Sequence, residues 1–285
     1  MSSTLVRELL DAGVHFGHHC SRWNPKMAPF LYGKRNNVHI IDIRETLRGV
    51  LRARKFLSQT VAKGDDVLFV GTKRQARDAV QQQAGRCAMP YVNERWLGGT
   101  LTNARTIRLR LQRLRELEEL VGTPKWETGY SKKMKSTLTR ELEKIRRNLD
   151  GVRNMQKLPG ALVIIDVRKE HNAIREATSL GIPTICLIDS DGDPGVASIP
   201  IPSNDDAMRA IGLILGTLAD AIEEGKRSRP EPTEAARDTG GPGAGRRRRP
   251  RAPDDIPTAP IEPAPVEPAT GPATAPTADP SAPTG

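Results

Sequence analysis

Five short segments of this chain are apolar at successive positions, and most lead into an amphipathic stretch: Val67-Leu-Phe-Val, Pro90-Tyr-Val, Ala161-Leu-Val-Ile-Ile, Thr184-Ile-Cys-Leu-Ile and Ser198-Ile-Pro-Ile. A strand that is apolar at consecutive rather than alternate positions has to be covered on both faces, and the crossover helices of a parallel sheet provide that cover. The helices expected beside them run from Arg74 to Cys87, His171 to Leu180 and Asp205 to Glu224. The pattern predicts an α/β domain built on a doubly wound, five-stranded parallel sheet of the flavodoxin-like type.

Upstream of these strands, Ser3 or Thr4 is placed to cap a helix from Val6 to Ala12 that stops at Gly13. Phe30-Leu-Tyr-Gly and Val38-His-Ile-Ile flank the polar turn Lys34-Arg-Asn-Asn and predict a hairpin, and a helix from Ile43 to Val61 ends at Gly64.

Between the second and third strands a long stretch carries no strand signal. Within it Ile107, Leu111, Leu114 and Val121, then Met134, Leu138, Leu142, Ile145, Leu149 and Val152, fall at the seam spacing of two coiled-coil helices. The breaker-rich link Gly122-Thr-Pro-Lys-Trp-Glu-Thr-Gly-Tyr joins them, so an inserted antiparallel coiled-coil helical hairpin is expected, with Trp126 at its tip packing on the hairpin or meeting a partner. The predicted organisation is a sheet domain with N-terminal helix and hairpin over 1–101 and 154–225, an arm over 102–153, and a tail over 226–285. That tail holds 14 of the 23 prolines and no aromatic residue, too little apolar surface to offset chain entropy, and disorder is expected there.

Charge divides the chain further. Residues 1–99 carry a formal +8 and residues 100–160 another +8, whereas residues 161–225 carry −7 and the tail +1. Two strongly basic thirds followed by an acidic one favour a polyanionic partner. Three scattered cysteines, Cys20, Cys87 and Cys186, suit a reducing cytosol better than a disulfide framework. Neither a signal peptide nor a membrane span is indicated, and a cytoplasmic location is expected.

Three places invite chemistry. Val70-Gly71-Thr72-Lys73-Arg74 sets a glycine, a hydroxyl and two cations at an expected helix start, suiting either a phosphate or a plain tight turn, but it lacks both glycine-rich nucleotide fingerprints. Asp189-Ser-Asp191-Gly-Asp193-Pro194 opens like a calcium loop, yet Pro194 and Pro200 stand where glycine and glutamate belong. A solvated acidic turn is the expectation, with loose magnesium or a basic neighbouring protein as alternatives. His15, His18, His19 and Cys20 are a dense set of ligand types without a second pair, so packed histidines and no metal are expected. No nucleophile motif is recognisable, and a nucleotide- or flavin-binding enzyme on the same fold, or a free RNA-binding regulator, stand as rival functions.

Gly13-Val-His-Phe-Gly-His18, Arg22-Trp-Asn-Pro-Lys-Met27, Val70-Gly-Thr-Lys73 and Tyr91-Val-Asn-Glu-Arg-Trp-Leu-Gly-Gly-Thr-Leu-Thr-Asn103 resemble the bacterial small-subunit ribosomal protein S2 family in identity, order and spacing. So do Pro159 to Asp166, His171 to Ala177 and Ile199 to Asp205, and the likeness runs from about residue 4 to residue 225. The resemblance implies a doubly wound α/β domain with a protruding coiled-coil hairpin. It implies a non-enzymatic constituent of the small ribosomal subunit near the head–body junction, touching ribosomal RNA and neighbouring ribosomal proteins and helping to dock ribosomal protein S-one. No cofactor, membrane or small-molecule substrate is implied. Two points depart from the family: His19-Cys20 replaces residues that are more often polar non-ligands, and the tail with Arg246 to Arg249 lies beyond the common fold.

The residues themselves suit RNA. Arg22, Trp23 and Lys26 set an aromatic face between cations on a loop that Asn24-Pro25 stiffens, and Arg95 and Trp96 do the same before Gly98-Gly99. Each of these tryptophans has core packing as its alternative role. The expected RNA contacts are Arg22, Trp23, Lys26, Lys34, Arg35, Lys73, Arg74, Arg95 and Trp96 on the globular part and Lys132, Lys133 and Lys135 on the arm.

Overall fold

The computed structural model describes residues 2–123, 126 and 129–229, without the side chains of 2–4. Two sheets organise it. Strands β1 (Phe16–His19), β2 (Leu31–Arg35) and β3 (Val38–Ile41) form a small antiparallel sheet in the order β1-β3-β2. The predicted hairpin is β2-β3, turned by Asn36 and Asn37 at φ 49 and 60, a left-handed pair that Asn tolerates. The third strand, β1, lies in the histidine-rich segment, to which the sequence assigns no strand, because its pairing partner, β3, is some twenty residues distant in sequence.

The larger sheet comprises β4 (Val67–Val70), β5 (Tyr91–Val92), β6 (Ala161–Ile165), β7 (Thr184–Ile188) and β8 (Ile199–Pro202), all parallel, in the order β5-β4-β6-β7-β8. Alternation along each strand divides its side chains between two cores. Val67, Phe69, Val163, Ile165, Ile185, Leu187 and Ile201 meet helices α1 (Ser2–Asp11), α2 (Ile43–Ala62), α3 (Arg77–Arg86) and α7 (Met208–Arg227). Leu68, Val70, Leu162, Ile164, Cys186 and Ile188 face the other way, toward α4 (Ala104–Val121), α5 (Lys132–Leu149) and α6 (His171–Ser179). Both faces are therefore covered, as consecutive apolar positions require. Helix α7 continues to Arg227, past the expected start of the tail at 226; from 230 onward the tail lies outside the described residues.

Helices α4 and α5 connect the second strand of this sheet to the third. They pack on each other, with Arg113 Nε 3.4 Å from Glu141 Oε1 across the pair. Ile107, Leu111, Leu114, Ile145 and Leu149 are buried as the spacing predicts, and Val152 with them. Val121 and Met134, also expected at the seam, are 44% and 52% exposed, while Leu117 is buried instead. The burial comes from the sheet end of the helices, where they share a core with Leu68 and Leu162; among the described residues nothing comparable covers the far end.

Candidate nucleic-acid interface

The loop between β1 and β2 is held from inside. Met27 is fully buried, the Asn24 side chain accepts from Lys26 N at 3.0 Å, and Asn24 N donates to the Ser190 carbonyl at 2.8 Å. Pro25 begins the short 3-10 turn that follows. This leaves Arg22 and Trp23 at the surface, Trp23 38% exposed and tilted against the His39 ring at 5.1 Å between centroids. Lys26 is exposed as well, but its ammonium lies 2.6 Å from Asp193 Oδ2. Lys34 and Arg35 project from the hairpin, and Arg74 and Arg95 are exposed on the sheet domain. On α5, Lys132 and Lys133 are exposed and Lys135 is half-buried.

Two of the expected RNA contacts have other work. Lys73 is only 14% exposed; its ammonium lies 2.7 Å from both Asp205 Oδ1 and Asp206 Oδ1 and 3.8 Å from Asp166 Oδ2. Burial disfavours its charge, but the hydrogen bonds to Asp205 and Asp206 outweigh that and raise its pKa. In the same turn Thr72 donates its N–H at 2.9 Å and its hydroxyl at 2.5 Å to Glu170 Oε1, itself buried. Of the phosphate-binding donors expected here, Thr72 and Lys73 are thus occupied by the protein's own carboxylates while Arg74 stays exposed, and α3 starts only at Arg77.

Trp96 is 8% exposed and packs in the core with Met27, Val92 and Leu101. Its indole N–H donates at 3.0 Å to Glu176 Oε1 of α6, which also accepts from Gly99 N at 2.8 Å. Glu176 Oε2 accepts from Leu101 N at 3.0 Å and from the N–H and hydroxyl of Thr102 at 3.2 Å each. Gly99 at φ +86 takes the left-handed conformation that lets these N–H groups converge. Gly99 therefore shapes a turn around a carboxylate of the same chain. Burial works against the Glu176 charge, but the Trp96 indole and the backbone N–H groups prevail and hold its pKa down.

The acidic segment also departs from expectation. Asp189 is 2% exposed, not solvated, and its Oδ2 lies 2.8 Å from His18 Nδ1; Asp191 pairs with Arg168 at 2.7 Å and Asp193 with Lys26. The Asp189 bond lifts the His18 pKa to about 9, against the effect of burial. Burial raises Asp205 as well, against the pull of Lys73. His18, Asp189 and Asp205 each offer a ligand atom, all within 4.8 Å of one another, and among the described residues this is the group that fits a metal ion. His15, His19 and Cys20 are not part of it. With His18 protonated and Lys73 against Asp205, the cluster supplies its own cations; a metal would need His18 neutral. The ligand set spans β1 and the ends of β7 and β8, so local spacing could not reveal it. The available signal was position: Asp166, Asp189 and Asp205 each follow a strand, at the carboxyl edge where doubly wound sheets gather functional groups.

Among the described residues no helix is long and apolar enough to cross a membrane. A family model described as Ribosomal protein S2 matches residues 9–225. The chain is 58% identical over 226 residues to the small ribosomal subunit protein uS2 of Rhodopirellula baltica, covering 79% of this chain and 86% of that one. It is 50% identical over 234 residues to the small ribosomal subunit protein uS2c of Porphyra purpurea (82% and 97% covered). Against uS2 of Micrococcus luteus it is 49% identical over 225 residues, 79% of each chain. The family match takes in both sheets, the buried loop around Met27, the Glu176 turn and helices α4 and α5, and on that extent the chain belongs to the ribosomal protein S2 family.

Proposed function

We propose that this chain is a structural, non-enzymatic constituent of the small ribosomal subunit in the cytoplasm. It binds ribosomal RNA by neutralising phosphates and fitting shape, without reading base sequence. The observation that carries this is family membership over nearly the whole described chain, joined to a basic excess in residues 1–160. Of the contacts expected from the sequence, Arg22, Trp23, Lys34, Arg35, Arg74, Arg95, Lys132 and Lys133 are exposed and suited to this role; Lys26 reaches solvent beside Asp193, and Lys135 is half-buried. Lys73 and Trp96 support the interface from beneath.

We extend the reading to the arm and to partners. Helices α4 and α5 act as an inserted coiled-coil hairpin, an arrangement supported by their shared apolar stripe and the Arg113–Glu141 pair. The chain contacts neighbouring ribosomal proteins and helps dock S-one, as the family resemblance implies. Sedimentation of cell extract through sucrose gradients at moderate salt tests the whole: the chain should travel with small subunits, and subunits depleted of it should also lack S-one. A chain that stays at the top of the gradient would overturn the ribosomal reading. Depleted subunits that retain S-one would overturn the docking role alone.

A further inference from the structure

Helix α5 was expected to meet RNA through its first turn, at Lys132 to Lys135. A second group of cations, not singled out by the sequence, lies further along it. Arg140, Lys144 and Arg147 recur at intervals of four and three, which puts them on one face of the helix, roughly 10 Å from first to last at 1.5 Å per residue. The fold brings Arg95, from the turn that Glu176 organises, against that face, and the four side chains border a cleft of about 510 Å³. All four are exposed.

We propose that this cleft is a binding site for the phosphodiester backbone of RNA, an inference that rests on the RNA-binding function proposed above and gives it a place. The composition of the cleft selects the ligand. Its lining holds four cations, two carboxylates and Asn148, with no apolar side chain. One of the carboxylates, Glu94, is already committed to Arg77 at 3.0 Å, so the field in the cleft is positive. A docked protein helix would need an apolar centre, whereas nucleic-acid interfaces are polar and strongly basic. Lys144 and Asn148 also border an adjoining hollow of about 410 Å³ lined by Leu97, Ile145, Leu149, Arg110 and Glu141, a mixed surface in which half-buried Leu97 can meet a ribose or base next to the phosphate path.

The position of Arg95 is fixed independently of any ligand. Its neighbour Trp96 is buried and hydrogen-bonded to Glu176, so the chain direction at residue 95 is set by the core. At the other wall Ile145 and Leu149 anchor α5 in the same core, leaving Lys144 and Arg147 on the outer side. A groove whose two walls are held by one core binds a polyanion without the cost of ordering its backbone, leaving only the side chains to be fixed, which favours affinity.

The test is binding of the full-length chain to a small-subunit RNA assembly intermediate across a salt series, with the variants Lys144→Ala, Lys144→Arg, the triple Arg140→Ala/Lys144→Ala/Arg147→Ala, and Arg209→Ala as a charge-loss control on exposed α7 surface. Each lost phosphate contact removes about 0.7 to 0.9 from the slope of log K against log salt. Lys144→Ala is expected to show that change with an affinity loss of about threefold or more, and the triple about 2.1 to 2.7 units of slope, while Lys144→Arg and Arg209→Ala retain the parental values. Circular dichroism should be unchanged throughout, since the substituted side chains are exposed. A triple variant with parental affinity and slope overturns the cleft while leaving the RNA-binding function standing. A triple variant that keeps its RNA binding but fails to enter particles also overturns it, and assigns the cleft to a protein neighbour. If the unsubstituted chain shows no salt-dependent RNA binding, the broader function and the cleft fail together.

Discussion

Glu176→Ala should be among the most damaging single substitutions in this protein, although the residue is a half-exposed glutamate on a helix surface. Its carboxylate accepts five hydrogen bonds, from Trp96, Gly99, Leu101 and twice from Thr102. Trp96 and Leu101 are 8% and 2% exposed, so without the carboxylate their N–H groups are left buried and unpaired, at about 1 to 3 kcal/mol each. Thr102 is exposed and recovers water, and Gly99 is half-buried. The expected loss is therefore about 3 to 5 kcal/mol, read as a fall in the urea midpoint at constant slope. Glu176→Gln keeps one acceptor but turns an amide N–H₂ toward donors, and about 2 kcal/mol is expected.

The pH dependence provides a second readout. The folded-state pKa of Glu176 is depressed, so its contribution is fully present above the ordinary glutamate value and is lost as pH falls through the lower folded value. The stability gap between parent and Glu176→Gln should accordingly be constant near neutral pH and narrow in acid. A loss below about 1 kcal/mol for Glu176→Ala, or a gap that widens as pH falls, would refute the clamp.

Two further outcomes follow from the geometry. His18 has its pKa raised to about 9 by Asp189, so the stability it contributes is present in full below about pH 6.5 and lost as pH rises through about 9; with the side chain 21% exposed, solvent screening limits it to on the order of 1–2 kcal/mol, seen as a parent-minus-His18→Gln difference in urea melts that vanishes by about pH 10. Gly151→Ala would drive a methyl group into the Tyr91 carbonyl and ring, and because backbone has to move, a cost of about 2 kcal/mol or more is expected by thermal melting; a neutral result would mean that the turn after α5 is not packed on β5.

The five parallel strands and the helices over them were legible in the sequence because burial on both faces leaves a continuous apolar run, a local signal that needs no knowledge of the partner strand. The apolar periodicity that marks α4 and α5 as helices was likewise a local signal, although burial at Leu117 and exposure at Val121 depended on how far the core reaches along them. Motif blocks such as Arg95 to Asn103 identified the family, but not what each residue in them does. Trp96 and Arg95 are adjacent, yet one enters the core and the other the surface, and only the fold decides which.

What the sequence could not supply is every contact made across long separations. Lys73 resembles a phosphate ligand until Asp205 and Asp206 arrive from more than a hundred residues away, and Asp189 resembles a solvated turn until β1 brings His18 to it. Glu176 lies in one of the family blocks, but nothing in that block tells that its carboxylate closes the turn after Trp96, and the cleft between Arg95 and Arg147 does not exist until α5 folds back against the sheet. Periodicity and composition report how each segment meets water, and that is a property of the segment alone. Which charges meet one another depends on chain topology, so the charge of each third was written in the sequence, while the division of its cations between internal ion pairs and open surface was decided by the tertiary structure.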